Sequence, residues 1–168
     1  YYYAPNHTPL GKARNLAVSK VKTEWIAFLD CDDVWDIRKL QLSFESLENS
    51  SNIGQVYTKS IMIDAHNNEL SKLSKSYSGD INEKLLVRGN FIVQSSMMIK
   101  KEIFDNVNGI NEELTYCPDY DLSLKVTQHS HTLCVDEYLT YYRMHDMNIT
   151  SRKTYCNGVE YIELLKKY

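Results

Sequence analysis

An apolar run that ends in acidic residues limits the possible folds more than any other feature of this chain. Residues 24–29 read EWIAFL, and Asp30, Asp32 and Asp33 follow directly. A continuous apolar run of this length is typical of a parallel strand that is covered on both faces. Neighbouring carboxylates repel one another unless a cation or a proton offsets their charge. We therefore expect a buried strand whose carboxyl end binds a cation.

The spacing of these acids favours a divalent metal that is bound together with a diphosphate. In an extended chain Asp30 and Asp32 point to the same side, whereas Asp33 begins the following turn. Ligands of open α/β sheets bind at the carboxyl ends of strands, and Mg²⁺ or Mn²⁺ is usually held by one or two carboxylates with phosphate oxygens and water. The pattern also fits haloacid-dehalogenase-type phosphatases, in which Asp30 would be the nucleophile and Asp32 the acid.

Length, charge and cysteine spacing limit the fold class and the partners. The chain has 168 residues, which suits one domain with an ordinary core, and its net charge of -3 gives no electrostatic reason to expect nucleic acid as a partner. Cys31, Cys117, Cys134 and Cys156 lack the spacing of a zinc site, so we expect free thiols in a cytoplasmic, reducing setting. No apolar run approaches the roughly 20 residues of a membrane span.

The periodicity of the apolar residues predicts helices and strands that alternate along the chain. In the helix after the acids, Ile37, Leu40, Phe44 and Leu47 form one apolar stripe. Helices are predicted over 9–21, 37–47, 80–89, 101–106, 119–129 and 151–168, the last of them amphipathic. Strands are predicted at EWIAFL, IGQVYT, SIMID, FIVQSSMMI, TLCVD and YLTYYRM. This order predicts an α/β fold with a mixed, mostly parallel sheet that is flanked by helices.

Four stretches of the chain follow one another in an order that is itself informative. They are GKARNLAVSKVKTEWIAFLDCDD, RGNFIVQSSMMIKKEIF, GINEELTYCPDYDLSLKV and YYRMHDMNITSRK. In this order they resemble the G-x-x-A-R-N helix with the D-x-D strand, the acceptor-side strand and helix, the E-D-x-D helix, and the tyrosine, arginine and histidine tail of the inverting GT-A glycosyltransferases of glycosyltransferase family 2. The resemblance implies a GT-A fold and an enzyme that uses a nucleotide-diphosphate sugar.

The resemblance also implies roles for the residues on the donor side. Asp32 would be the ligand of Mg²⁺ or Mn²⁺, and Asp30 would help to bind the donor through ribose or a metal-bound water. Arg14 would contact the donor nucleotide, for which UDP is the family-level expectation. Arg143 and His145 would close over the diphosphate once it is bound.

On the acceptor side the resemblance implies that Asp119 is the general base. Its carboxylate would take the proton from an acceptor hydroxyl while that oxygen attacks the anomeric carbon, on the side opposite the metal. The family usually has a glutamate directly before this aspartate, and Pro118 occupies that position here. A group that orients or tunes Asp119 is therefore expected to be missing.

The family normally begins with a strand, a helix and a strand whose acidic residue reads the nucleotide base, and this chain starts after them. We therefore expect residues 1–168 to form a single, N-terminally truncated GT-A domain. One side of EWIAFL would then be an exposed edge, which predicts self-association. The apolar stripe of the last helix, Val159, Ile162 and Leu165, would supply a contact or touch a membrane surface.

The expected function is sugar transfer, with inversion, from a UDP-sugar to a glycan or lipid-linked acceptor. The expected setting is the synthesis of cell-surface polysaccharide or glycoconjugate, in the cytoplasm or at the inner face of the membrane. The non-enzymatic alternative is an inactive remnant that keeps the fold and acts through association with another chain.

Overall fold

The computed structural model describes residues 6–48, 50, 52–146, 148 and 154–168, with the backbone alone at 154–157. Its helices are α1 Leu10–Val18, α2 Lys39–Glu45, α3 Asn82–Arg88, α4 Lys101–Asn106, α5 Pro118–Thr127 and α6 Thr154–Leu165. Its strands are β1 Trp25–Ala27, β2 Val34–Trp35, β3 Ile53–Ile63, β4 Glu69–Leu73, β5 Met98–Lys100 and β6 His131–Arg143, and a 3₁₀ turn spans Gln94–Ser96.

The strands form one sheet in the order β1-β5-β3-β6-β2, and β4 pairs with the outer part of β3. The α/β fold with a mixed sheet is therefore confirmed. The expectation of a mostly parallel sheet is wrong, because β3 and β6 run parallel while the other pairs among the described strands are antiparallel. An apolar pattern reports how far a strand is covered, but it does not specify the direction of the neighbouring strand.

The two central strands are longer than the sequence pattern indicated. IGQVYT and SIMID form the single strand β3, and TLCVD and YLTYYRM form the single strand β6. The register between them shifts near Lys59, which is where the predicted strands were separated. Irregularities of this kind interrupt the alternation of apolar residues without ending the strand. FIVQSSMMI, in contrast, contains a 3₁₀ turn and only the short strand β5.

The acidic residues lie in a turn and not on the end of a long strand. Strand β1 ends at Ala27, and Leu29 is 47% exposed, so EWIAFL is not a strand covered on both faces. The Asp33 N–H donates to the Asp30 carbonyl over 3.1 Å, which closes a turn around the acids. The alternation expected of an extended chain therefore does not describe how Asp30 and Asp32 are arranged.

Helix α2 presents a different face to the sheet than the sequence predicted. Ile37, Leu40 and Phe44 are 98%, 42% and 48% exposed, whereas Lys39 and Ser43 are buried. The predicted stripe does not face the core, because Lys39, Leu42 and Ser43 form the inner face of the helix.

The core lies on both faces of the sheet. On one face the largest cluster includes Val18, Ile26, Tyr57, Leu85, Phe104, Leu122 and Leu164, which come from α1, β1, β3, α3, α4, α5 and α6. On the other face Val56, Met98, Val135 and Leu139 pack with Leu42 and Leu47 of the α2 segment. The helices therefore hold the sheet from both sides and fix the loops at its end.

The amphipathic helix predicted over 151–168 corresponds to α6, and its residues 151–153 lie outside the described residues. Leu164 is fully buried and Leu165 packs on the core, whereas Val159 and Ile162 are about half exposed. Helix α6 therefore docks on the domain through one side only. Across the described part of the chain, no helix has both the length and the apolar character that a membrane crossing needs.

Candidate functional site

A cavity of about 1000 Å³ brings together motifs that are far apart in the sequence. Arg14, Asp30 and Asp32 line one part of it, and Asn90 and Asp119 line another. The cavity thus joins the helix of the A-R-N motif, the acidic turn and the beginning of α5. Its volume lies at the upper end of the range typical of small-molecule sites.

Arg14 and Asp30 form an ion pair at the wall of this cavity. The Arg14 side chain is only 12% exposed, so its charge acts in a partly desolvated setting. The neighbouring Asn15 fixes α1, because its side-chain amide exchanges hydrogen bonds of 2.8 and 2.9 Å with the backbone of Ile110. A side chain at Gly109, whose φ is +62°, would put a Cβ 2.7 Å from the Asn15 Oδ1, so glycine is required there.

Asp33 faces inward and holds the acidic turn to strand β6. It is 8% exposed, and its Oδ1 accepts a hydrogen bond of 2.8 Å from the Arg143 N–H. Burial raises the pKa of Asp33, and the bonds from Ser95 and from the Arg143 N–H oppose that rise. Asp33 therefore fixes the geometry of the turn, and all three aspartates lie among the residues that line the cavity.

Arg143 supports the same turn from behind. Its Nε donates to the Asp32 carbonyl over 2.7 Å, and its Nη1 donates to the Asp64 carbonyl over 2.9 Å. The side chain is not among the residues that line the cavity. The structure shows a direct hydrogen bond from Arg143 to the acidic turn. Its contact with a donor diphosphate stays a prediction.

His145 and Asp32 form a pair of potential metal ligands. The His145 Nε2 lies 3.0 Å from the Asp32 Oδ2, and the side chains are 28% and 35% exposed. Asn148 fixes this segment, since its Oδ1 accepts from the His145 N–H over 2.7 Å and its amide donates to the Arg143 carbonyl over 2.9 Å. The loop of the tyrosine, arginine and histidine tail therefore reaches the acidic turn.

These ligands fit a metal that a substrate helps to hold. In the parts of the chain with described positions, no group of three or more His, Cys, Asp or Glu side chains is arranged to hold a metal ion. Mg²⁺ and Mn²⁺ often take only one or two protein ligands and complete their shell with phosphate oxygens and water. The Asp32 carboxylate matches that smaller donor set, and the His145 Nε2, 3.0 Å from the Asp32 Oδ2, is a further donor beside it.

Each of the acids has a different partner, which explains how the fold tolerates them. Asp30 pairs with Arg14, Asp32 contacts His145, and Asp33 is buried against the Arg143 backbone. The sequence argument expected one shared cation to offset the repulsion. In the structure each carboxylate has a separate partner, and a shared metal ion stays a prediction.

Asp119 occupies the second position of α5 and faces the cavity. Burial raises its pKa, and the positive charge of Arg14 together with a hydrogen bond from Asn90 opposes the rise. The Asn90 amide donates to the Asp119 Oδ2 over 2.9 Å. Asn90 thus orients the Asp119 carboxylate. The sequence predicted that an orienting group would be missing because Pro118 replaces the usual glutamate, but Asn90 supplies one from another segment.

Sequence reasoning did not identify Asn90 or Ser95 as site residues. Asn90 follows Gly89, whose φ of +75° ends α3, and the Gly-Asn pair was the available signal. The Ser95 hydroxyl accepts from the Asp30 N–H over 3.0 Å, and the Trp35 Nε1–H donates to the Ser95 carbonyl over 2.6 Å. No periodicity in the sequence specifies these contacts, because they join segments about sixty residues apart.

A buried lysine contacts the ring of Trp35. The Lys39 Nζ lies 4.4 Å from the centre of the Trp35 ring and is buried without a hydrogen-bond partner among the described residues. Burial lowers the pKa of Lys39 to about 8. A row of contacts therefore runs from Lys39 through Trp35 and Ser95 to the acidic turn.

The fold and the site define a GT-A type α/β domain whose cavity carries an acidic turn on one side and a carboxylate at a helix start on the other. The chain belongs to the glycosyltransferase like family 2, because the profile of that family matches residues 2–167. The match spans nearly the whole chain and agrees with the motif order. It is not compatible with the alternative of a haloacid-dehalogenase-type phosphatase.

Curated relatives are similar to this chain over most of its length. An uncharacterized glycosyltransferase of Methanocaldococcus jannaschii is 26% identical over 160 residues, which cover 94% of this chain and 53% of that protein. Chondroitin synthase of Escherichia coli is 24% identical over 135 residues, which cover 77% of this chain and 19% of the synthase. The chain spans about half the length of several relatives, with 53%, 57% and 45% coverage.

Solved structures share the fold at low sequence identity. TarS 1-349 of S. aureus in complex with UDP-GlcNAc has a TM-score of 0.66 and 15% identity, with 86% of this chain and 41% of that chain covered. The same protein in complex with UDP also has a TM-score of 0.66 and 15% identity, with 94% and 44% covered. These likenesses establish the GT-A fold of this chain.

Proposed function

We propose that this chain takes part in transferring a sugar from a nucleotide-diphosphate donor to an acceptor hydroxyl, with inversion at the anomeric carbon. The supporting observation is that Asp30, Asp32 and Asp119 line one cavity. UDP is the proposed nucleotide, because the similar TarS structures are titled as complexes with UDP and UDP-GlcNAc.

On the donor side, Arg14 and Asp30 would bind the nucleotide, and Asp32 with His145 would hold Mg²⁺ or Mn²⁺. The donor set of one carboxylate and one imidazole supports this assignment. When bound, the ion would offset the negative charge that collects on the leaving diphosphate. Arg143 would keep the acidic turn in place through its bonds to the Asp32 and Asp64 carbonyls.

On the acceptor side, Asp119 would remove the proton of the attacking hydroxyl. The acceptor oxygen forms a bond to the anomeric carbon while the bond from that carbon to the diphosphate breaks, and the electron pair leaves with the nucleotide. A raised pKa makes the ionised Asp119 carboxylate a stronger base. Asn90 would hold one carboxylate oxygen and so orient the group.

The proposed acceptor class is a glycan or a lipid-linked sugar in the synthesis of cell-surface polysaccharide or glycoconjugate. Similarity to a protein named chondroitin synthase supports a glycan product. The proposed location is the cytoplasm or the inner face of the membrane.

Self-association is also proposed, and it is the basis of the non-enzymatic alternative. Among the strands whose positions are described, β1 pairs with β5 alone and leaves one edge open. An open edge offers backbone groups to another chain. Light scattering over a range of concentrations would detect the association, and a monomer at every concentration would contradict it.

A calorimetric titration with UDP, with and without Mn²⁺, tests the enzymatic proposal. We expect Mn²⁺-dependent binding by the wild type that is lost in Asp32→Ala. The matched control is Asp105→Ala, since Asp105 pairs with Lys101 on α4 and does not line the cavity. Equal binding by Asp32→Ala, or no binding by a folded wild type, would contradict the proposal.

A further inference from the structure

The loop before Asp119 is fixed by a carboxylate from the last helix. Glu160 on α6 accepts hydrogen bonds from the backbone N–H groups of Thr115, Tyr116 and Cys117, at 2.9, 2.6 and 2.7 Å. Hydrogen bonds to an ionised acceptor are stronger than bonds between neutral groups. One side chain therefore satisfies the donors of three successive residues.

These bonds end two residues before the proposed base. Cys117 is the N-cap residue of α5, and its carbonyl accepts the first helical bond, from the Asp121 N–H over 3.0 Å. Pro118 follows, and its ring fixes φ near -65°. Little backbone freedom remains between Cys117 and Asp119. The position of the Glu160 carboxylate is thus transmitted to the Asp119 side chain.

Helix α6 is a firm support for Glu160 because its other contacts also fall on α5. The Tyr161 and Tyr120 rings stack, with centroids 5.3 Å apart and an angle of 14° between their planes. The Tyr168 hydroxyl lies 3.1 Å from the Asp121 Oδ1, and Leu164 is fully buried. The segment that follows Glu160 therefore holds this part of α6 against α5.

We propose that Glu160 is a positioning residue for Asp119, which sets the start of α5 by binding the Thr115–Cys117 backbone from the last helix. The inference rests on the proposed role of Asp119 as the base. It also accounts for Pro118 at the position where the family usually has a glutamate. The proline ring limits the backbone at this position, so the constraint that Glu160 supplies from α6 reaches Asp119.

Two measurements that need no turnover test the positioning directly. In Glu160→Gln one acceptor oxygen becomes a donor, so we expect faster amide hydrogen exchange at residues 115–117. We also expect the pKa of Asp119, followed by carboxyl NMR, to fall towards the ordinary aspartate value as the carboxylate loses its burial. The matched control is Glu163→Gln on the same helix, because Glu163 is exposed and pairs with the exposed Lys166. Unchanged exchange or unchanged titration in Glu160→Gln would overturn the proposal.

Turnover distinguishes positioning from a general loss of structure. For Glu160→Gln we expect the rate of sugar transfer or donor hydrolysis to fall on the order of 10- to 100-fold, as for a misplaced catalytic group. UDP affinity should remain within about twofold of the wild type, because the acidic turn is unaffected. A normal rate despite an altered Asp119 titration would overturn the proposal, as would equal losses of rate and UDP affinity.

A wild type that neither binds UDP nor turns over a donor would refute the proposed function, and the Asp119 titration would still decide whether Glu160 places that side chain. If Glu160→Gln does not fold, Glu160→Asp is the second variant. It keeps the negative charge, but its side chain is one methylene shorter, so the carboxylate lies farther from the backbone N–H groups of residues 115–117. We then expect the same changes in exchange and titration with smaller amplitude, and their absence would overturn the proposal.

Discussion

The two sides of the cavity are held in different ways. The acidic turn is bonded to the sheet and its connections, through Ser95 before β5 and Arg143 at the end of β6. Asp119 is held by Asn90 after α3 and, through its loop, by Glu160 on α6. The acidic turn thus depends mainly on β6 and the segment before β5, with one ion pair from α1, whereas Asp119 depends on the end of α3 and on α6.

This difference indicates that donor binding and proton removal are mechanically separable. A change on the helical side should alter the base while the nucleotide still binds, because the bonds of the acidic turn do not involve α5 or α6. A change in the residues that hold the acidic turn should loosen that turn and leave the start of α5 in place.

Replacing the base should have the largest effect and should be confined to the helical side. Asp119→Asn removes the proton acceptor but keeps the size of the side chain, so transfer should fall on the order of 10²- to 10⁴-fold. Calorimetry should find UDP binding unchanged, and Asp105→Asn serves as the exposed control. Transfer at the wild-type rate by Asp119→Asn would remove Asp119 from the proposed mechanism.

Replacing Arg143 should break the strand side. Arg143→Ala leaves the Asp32 and Asp64 carbonyls without their donors, so the free energy of unfolding should fall by about 3 kcal/mol. Urea denaturation measures the loss, with the exposed Arg38→Ala as the control for removing a guanidinium. The Asp119 titration should stay as in the wild type. A shift in that titration would show that the two sides are not separable.

Lys39 offers a test of the row of contacts behind the acidic turn. Its pKa of about 8 lies below the unfolded value, so the charged form destabilises the folded state. Stability should therefore rise with pH between about 8 and the ordinary lysine value near 10.4. Lys39→Met should remove this rise and add about 2 kcal/mol at neutral pH. Urea denaturation at several pH values checks this, with exposed Lys12→Met as the control; an unchanged pH profile in Lys39→Met would contradict it.

The smallest effect is expected at Asp33. Burial raises its folded pKa above the unfolded value, so its stabilising contribution is complete below the unfolded pKa and is lost as the pH rises through the folded pKa. Asp33→Asn keeps an oxygen for the Arg143 N–H and removes the charge. The variant should be slightly more stable than the wild type at neutral pH, and the difference should vanish in acid. Thermal unfolding across this range measures it, and a destabilised variant at neutral pH would be the opposite result.

The sequence predicted those parts of the fold and site that depend on local pattern. The α4 boundaries, Lys101–Asn106, are as predicted, and the turn at Gly89 follows from the conformational freedom of glycine. The predicted residues Arg14, Asp30, Asp32 and Asp119 line one cavity. Local pattern is informative here because each feature involves a few neighbouring residues.

The features that the sequence did not predict depend on contacts between distant segments. The inner face of α2 was misassigned because buried polar residues occupy part of it. The strand direction was misassigned because an apolar pattern does not specify the direction of the neighbouring strand. Asn90 and Glu160 contact the base region across 29 and 43 to 45 residues. Only the packing of helices on the sheet brings these groups to Asp119.

Paramagnetic relaxation by Mn²⁺ tests the central claim that the acidic turn and Asp119 face one nucleotide-sugar cavity. The NMR signals of the chain would be recorded with UDP and substoichiometric Mn²⁺, and again with Mg²⁺ as the diamagnetic reference. The account predicts strong broadening at residues 30–33, together with distinct but weaker broadening at Arg14, Asn90 and Asp119. Broadening of the acidic turn alone, or of residues outside the cavity, would contradict the account.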